Sequence, residues 1–152
     1  TNLFSLKELK KKKPEAVIYD GFKAVTNVLK NMLDELEKGD EYCVLGATYG
    51  TTPGLRPYFY KHHTNRAKKG IKVKMLANHE TKGNLEPTTL KLAEIRYLPQ
   101  HFISNMAIYF YKKKAIIILY TKSPTAFMIE GEEIVKSFKL YFDTFWKIAE
   151  VS

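Results

Sequence analysis

Two long stretches of the chain repeat their apolar residues at helical spacing, and several short ones run continuously apolar or alternate. The first long stretch puts Phe22, Val25, Leu29, Met32, Leu33 and Leu36 on one face, which predicts an amphipathic helix laid over a sheet. The second, Glu132 to Ala149, does the same with Ile134, Phe138, Tyr141, Phe142, Phe145 and Ile148, and Trp146 flanks that face. Aromatics this dense mark a helix packed into the core or into a partner subunit. A third helix is expected over Leu55 to Lys69, with Pro57 in its first turn and Gly70 at its end.

Between the helices lie strand signals. Ala16 to Tyr19 is short; Glu41 to Ala47 has the unbroken apolar character of a buried central strand. In Ile71 to Ala77, Val73, Met75 and Ala77 alternate with Lys72 and Lys74, so one side is expected to be exposed. After a polar stretch, Asn78 to Pro87, a short helix over Thr88 to Ala93 leads to strand Glu94 to Leu98. Met106 to Tyr111, Lys114 to Tyr120 and Thr125 to Glu130, joined by turns at Lys112-Lys113 and Lys122-Ser123-Pro124, predict an antiparallel meander. Ser5 to Lys13 reads as the end of a charged helix stopped by Pro14. The order of elements makes this an α/β chain.

Composition sets the bounds. With 152 residues, 45% of them hydrophobic, the chain can bury about two thirds of its surface around one core, which excludes disorder. Cys43 is the single cysteine and sits in an apolar run, so a buried thiol and a reducing, cytoplasmic home are expected. No stretch has the length of a membrane span, Ala115 to Tyr120 being the longest strong run, and no signal-peptide core opens the sequence. The net charge of +9 points either to a lysine-rich solvated surface or to contact with nucleic acid. The aromatics fall at core spacings, which argues against a stacking platform.

Few residues can carry chemistry. His62 and His63 are adjacent, so they point about 100° apart on a helix, and Arg66 and Ala67 stand where a second ligand would. A surface or interface role is expected for both, and neither a metal site nor a cofactor. No G-x-S-x-G motif occurs. The loop GATYGTTPG, Gly46 to Gly54, reads either as a tight turn with a threonine N-cap or as a ligand-lining loop whose amides, with Thr51 or Thr52, meet an anion or a sugar hydroxyl.

The segments YDGFKAV (Tyr19 to Val25), EYCVLGA (Glu41 to Ala47), NRAKKGIKVKMLAN (Asn65 to Asn78), AEIRYLP (Ala93 to Pro99) and YFDTFWKIA (Tyr141 to Ala149), in that order, resemble the C-terminal domain of TrmB-like transcriptional regulators, a mainly archaeal family. The likeness runs from about Glu15 to the end. It implies a single phospholipase-D-like domain over 15–152, a mixed sheet flanked by helices, with 1–14 as the end of a helical dimerisation linker. The family's DNA-reading winged helix-turn-helix would stand before this chain and is absent from it. The family's characterised sugar-responsive members sense their effector with the C-terminal part, which implies a non-catalytic effector-binding domain, a homodimer, and DNA as a partner through the absent domain. The alternatives are an interaction module with a vestigial pocket, and a phosphodiesterase or nuclease.

Phospholipase D chemistry uses an H-x-K-x4-D motif, and the likeness puts Ser104, Met106 and Tyr111 at its three positions, none able to do the job. His101 has no lysine two residues on. No catalytic residue is therefore expected. What remains is the crevice at the strand C-termini, where α/β sheets collect ligands. Its candidate lining is Gly46, Thr48 and Tyr49, then Asn78 and His79, then Arg96 and Tyr97, with Tyr109 and Glu130 as further additions. Hydroxyls, amides and aromatics suit a sugar-like effector. Arg96 suits a phosphate, as in a phosphorylated metabolite, or a carboxylate or, equally, a salt bridge to Glu94 or another acid.

Overall fold

The computed structural model describes Pro14 to Val151, apart from residue 90. The helical tail expected over Ser5 to Lys13 lies outside the described residues. The elements in chain order are β1 (Glu15–Asp20), α1 (Phe22–Glu35), β2 (Glu41–Ala47), α2 (Leu55–Lys69), β3 (Lys72–Ala77), a one-turn 3-10 helix (His79–Thr81), α3 (Glu86–Thr89), β4 (Ala93–Tyr97), β5 (Met106–Tyr111), β6 (Lys114–Leu119), β7 (Thr125–Glu130), α4 (Glu132–Ile148) and β8 (Glu150–Val151). One mixed eight-stranded sheet runs β1-β7-β6-β5-β2-β3-β4-β8. Strands β2, β3 and β4 are parallel, linked by right-sized α/β crossovers, and the rest pair antiparallel. The expected meander is β5-β6-β7. Its outer edge is closed by β1, and β8 closes the opposite edge. The short helix falls earlier than expected, at Glu86–Thr89, and β4 begins one residue sooner.

Helices α1 and α2 cover one face over a core that includes Leu29, Met32, Tyr42, Ile71, Tyr109 and Ile118. On the other face α4 packs Phe142, which is fully buried, against Phe110 and stacks Trp146 on Phe142. The expectation that β3 exposes one side is therefore corrected. Lys74 is half-buried beneath α4, its ammonium 4.6 Å from the Trp146 ring. A lysine's four-carbon stem can line a core while its head reaches out over an aromatic, so its alternation with valine and methionine did not mean an exposed face.

Helix α4 covers only part of its face. By register Ile18 stands opposite Phe127, Phe127 opposite Ile117, Ile117 opposite Ile108, and Leu119 opposite Met106. Ile18, Met106, Leu119 and Phe127 in that group are exposed, as are Tyr141 and Ile148 on α4. The helix thus belongs to the core through Phe142 and leaves an apolar flank outside it. No described helix is long and apolar enough to cross a membrane.

Arg66 ties the parallel half together. Its side chain is wholly buried, and each of its five N–H donors has an acceptor. Nε donates to His63 Nδ1 at 3.0 Å, Nη1 to the carbonyls of Ile71 and Leu92, and Nη2 to those of Thr89 and Lys91. One guanidinium therefore joins α2, the entry to β3, the end of α3 and the entry to β4. Arg66→Met keeps much of the volume but strands four carbonyls without these donors. A loss of at least about 3 kcal/mol in urea unfolding is expected; a loss below about 1 kcal/mol would refute the assignment.

Candidate functional site

The C-terminal ends of β2 and β3 gather Gly46, Thr48, Tyr49, Asn78 and His79, and Tyr97 closes β4 beside them. The loop after β2 does not present its polar groups outward. Thr48 Oγ1 accepts from the Gly50 amide, the Thr51 amide donates to the Tyr120 carbonyl, and Thr52 Oγ1 donates to the Thr121 carbonyl. The glycines serve close approach. A Cβ on Gly46, whose φ is +83°, would meet the Met106 carbonyl oxygen at 2.9 Å, and one on Gly50 would collide with the Tyr120 carbonyl. The N-cap of α2 is Gly54, with no side-chain cap, so the threonine-capped turn is corrected too: the threonines lace the loop to the β6–β7 turn.

The remaining candidates divide. Tyr49 Oη and Thr88 Oγ1 share a hydrogen bond, and Tyr109 Oη pairs with Tyr120 Oη at 2.6 Å beneath the crevice. Asn78 is fully buried; its Nδ2 donates to the Ser104 carbonyl at 2.7 Å, while its Oδ1 has no partner among the described residues. Tyr97 Oη is likewise buried without a partner. His79 stands 3.8 Å from Glu150. The space enclosed by Thr48, Tyr49, Phe59, His63 and Tyr109 is about 20 Å³, room for about one water.

Two candidates do not reach this crevice. Arg96 points to the opposite face of the sheet from its neighbour Tyr97, because successive strand residues alternate. There its guanidinium lies 4.5 Å from the Trp146 ring and donates to the Trp146 carbonyl, so the salt bridge to Glu94 does not form either. Glu130 pairs in register with Lys114 and Glu15, at the far end of the sheet.

That far end holds the large cavity, about 890 Å³, between the β5–β6 hairpin and α4. Cys43, Phe110 and Val135 form its floor, and Lys113, Glu130 and Glu132 stand on its rim. Burial pushes the Cys43 thiol up to about 11, so it stays protonated at neutral pH and is a poor nucleophile. Of the motif positions, Ser104 accepts from the Met106 amide at the crevice rim. Tyr111 donates to Glu35 at 3.1 Å at the far end, so the three do not converge. No group of three or more His, Cys, Asp or Glu side chains among the described residues is placed to hold a metal.

His62 and His63 are buried, not on the surface as expected. The inward face of α2 is Leu55, Phe59, His62, His63 and Arg66, a run at i, i+4, i+7, i+8 and i+11. The spacing was visible, but two imidazoles and a guanidinium occupied its core positions. His62 Nε2 lies 3.0 Å from Tyr42 Oη, and His63 Nδ1 takes the Arg66 bond, which needs a free lone pair. Desolvation first, and the Arg66 charge second, hold His62 down at about 3; desolvation also drives His63 well below its ordinary range.

The fold is phospholipase-D-like, a mixed sheet flanked by helices. No family model and no curated protein matches the sequence. Among solved structures, TrmBL2, an archaeal chromatin protein with a novel mode of DNA binding, superposes with a TM-score of 0.62 at 20% identity, over 99% of this chain and 60% of that one. The chain thus spans about 60% of the length of TrmBL2. Nuc, a phospholipase D family member from Salmonella typhimurium, gives 0.60 at 13% identity over 92% of this chain and 99% of its own. NucT from Helicobacter pylori gives 0.61 at 12% identity over 92% and 100%.

Both histidines are neutral when folded and titrate near 6.5 when unfolded, so acid protonates the unfolded chain first. Stability is complete above pH 6.5 and falls as the pH drops from there towards 3. Both histidines act in the same direction, because each must be neutral in the folded core. Urea midpoints measured from pH 6.5 to 5 should decline, and less steeply in His62→Gln; parallel slopes for the two proteins would remove His62 as a cause.

Proposed function

We propose that this chain is the non-catalytic, effector-binding and oligomerisation domain of a TrmB-like DNA-associated regulator. The carrying observation is the pair Ser104 and Met106 at the crevice rim of an intact phospholipase-D-like sheet, where the superfamily's reaction calls for histidine and lysine. Serine offers no imidazole to attack phosphorus, and methionine no charge to bind phosphate. Of the four histidines none stands at the motif position: His62 and His63 are locked in the core, His101 sits in the exposed loop before β5, and His79, just past the end of β3, faces Glu150 at 3.8 Å.

The effector belongs in the 890 Å³ cavity, which has room for a sugar, whereas the space among Thr48, Tyr49 and Tyr109 holds about 20 Å³ and does not. Of the residues first considered for ligand contact, Glu130 alone lines that cavity. Binding there would couple to DNA by favouring one arrangement of paired domains over another. The pairing surface is the apolar row Ile18, Phe127, Ile117 and Ile108 beside α4. Two such faces pressed together would bury on the order of 1,000 Å², the lower range for specific dimers.

A thermal-shift screen with sugars, sugar phosphates and nucleotides tests the sensor. A ligand at 100 times its Kd adds about 2.7 kcal/mol. The shift should vanish in Val135→Trp, which fills the cavity, and persist in Tyr97→Phe; the reverse pattern returns the site to the crevice, and a flat screen discards the sensor. In sedimentation, Ile18→Glu with Phe127→Glu should convert a dimer to a monomer; a monomeric parent chain removes the pairing surface.

A further inference from the structure

The helix layer carries a charge pattern that neither the effector cavity nor the pairing face uses. From Tyr42 to His79 the sequence contains no aspartate or glutamate, yet it includes seven lysines and arginines. Arg66 is buried, and Lys74 lies under α4. The exposed Arg56, Lys61 and Lys68 all stand on α2, a helix with no acidic residue. Parallel to it, α1 exposes Lys23 and Lys30. None of these five cations forms an ion pair among the described residues. The carboxylates of α1, Asp34 and Glu35, are confined to its C-terminal end, where Glu35 is held 2.7 Å from Lys114.

Between the two helices runs a groove of about 270 Å³. Lys30 and Lys61 stand on its two walls, and Asn27 and Asn65 add side-chain amides. The helices have 14 and 15 residues, so the groove extends roughly 20 Å, long enough to follow several successive phosphates of one strand. Cations without carboxylate partners keep their counterions, and releasing those counterions drives binding to a polyanion. Side-chain amides donate to phosphate oxygens without reading sequence.

We propose that the α1–α2 groove binds the phosphodiester backbone of duplex DNA without sequence preference. The occupant is a duplex rather than a single strand because the groove lacks a stacking platform: Tyr58 is turned inward to the Thr26 carbonyl, and Tyr60 is a lone exposed ring on α2. This surface lies on the opposite side of the sheet from α4. In a dimer built on the α4 side, the two grooves would face outward, free for DNA. The DNA contact itself does not depend on the effector reading.

Fluorescence anisotropy of the full 152-residue chain with a labelled 20-base-pair duplex of arbitrary sequence, titrated with salt, tests it. Binding should weaken steeply with salt and differ little between unrelated sequences. Lys30→Gln, Lys61→Gln and Lys68→Gln combined should lower the slope of log affinity against log salt by about 2 to 3, since each phosphate contact contributes about 0.9. Lys136→Gln with Lys147→Gln, on α4, should leave it unchanged, and circular dichroism should confirm that both variants fold. No binding at low salt, or equal slopes for the groove variant and the parent, would overturn the proposal. A single strand of the same length bound more tightly than the duplex would overturn the choice of duplex. Because the readout needs no effector, a failed ligand screen leaves it intact.

Discussion

Arg66 is the point on which the parallel half of the sheet depends. A buried guanidinium is tolerable only when all its donors are met, and here four backbone carbonyls and one imidazole meet them. Those carbonyls belong to the end of α3 and to the lead-in residues of β3 and β4; Leu92 also accepts the Val73 amide. The charge is needed because the chain turns twice in a small space. Its presence then dictates the rest of the core. His63 must offer a lone pair to it, and His62, one residue away on the same helix, must find Tyr42. The crevice above becomes a floor of paired hydroxyls and rings.

That chain of dependence separates the two ends of the sheet. At the C-terminal ends of β2 and β3, Gly46 and Gly50 let the loop press on Met106 and Tyr120, and threonines fasten it there. The strand ends of this phospholipase-D-like sheet are therefore packed by the chain's own loop. At the other end the hairpin lysines and α4 glutamates stand around open space instead of closing on one another.

The sequence showed the order of the main elements, two of the three long helix faces, the central apolar strand and the meander, because each rests on local periodicity. It did not show β1 pairing with β7, or β8 with β4, since those contacts join residues far apart in the chain with no local signature. For the candidate site, the cluster of Gly46, Thr48, Tyr49, Asn78, His79 and Tyr97 was legible from strand ends alone. Arg96 was misplaced by a single step of the strand alternation, and Glu130 by the reversal of direction in the meander. His62, His63 and Arg66 were missed for a different reason. Polar residues at core spacing look like surface until one knows that each has a partner.

Trp146, the chain's single tryptophan, lies between two cations, with the Lys74 ammonium 4.6 Å and the Arg96 guanidinium 4.5 Å from its ring. Both belong to the sheet, while the indole belongs to α4. The docking of that helix therefore has its own optical label. Any event that lifts α4 from the sheet strips the ring of both charges and admits water, and it changes the emission of one fluorophore whose origin needs no assignment.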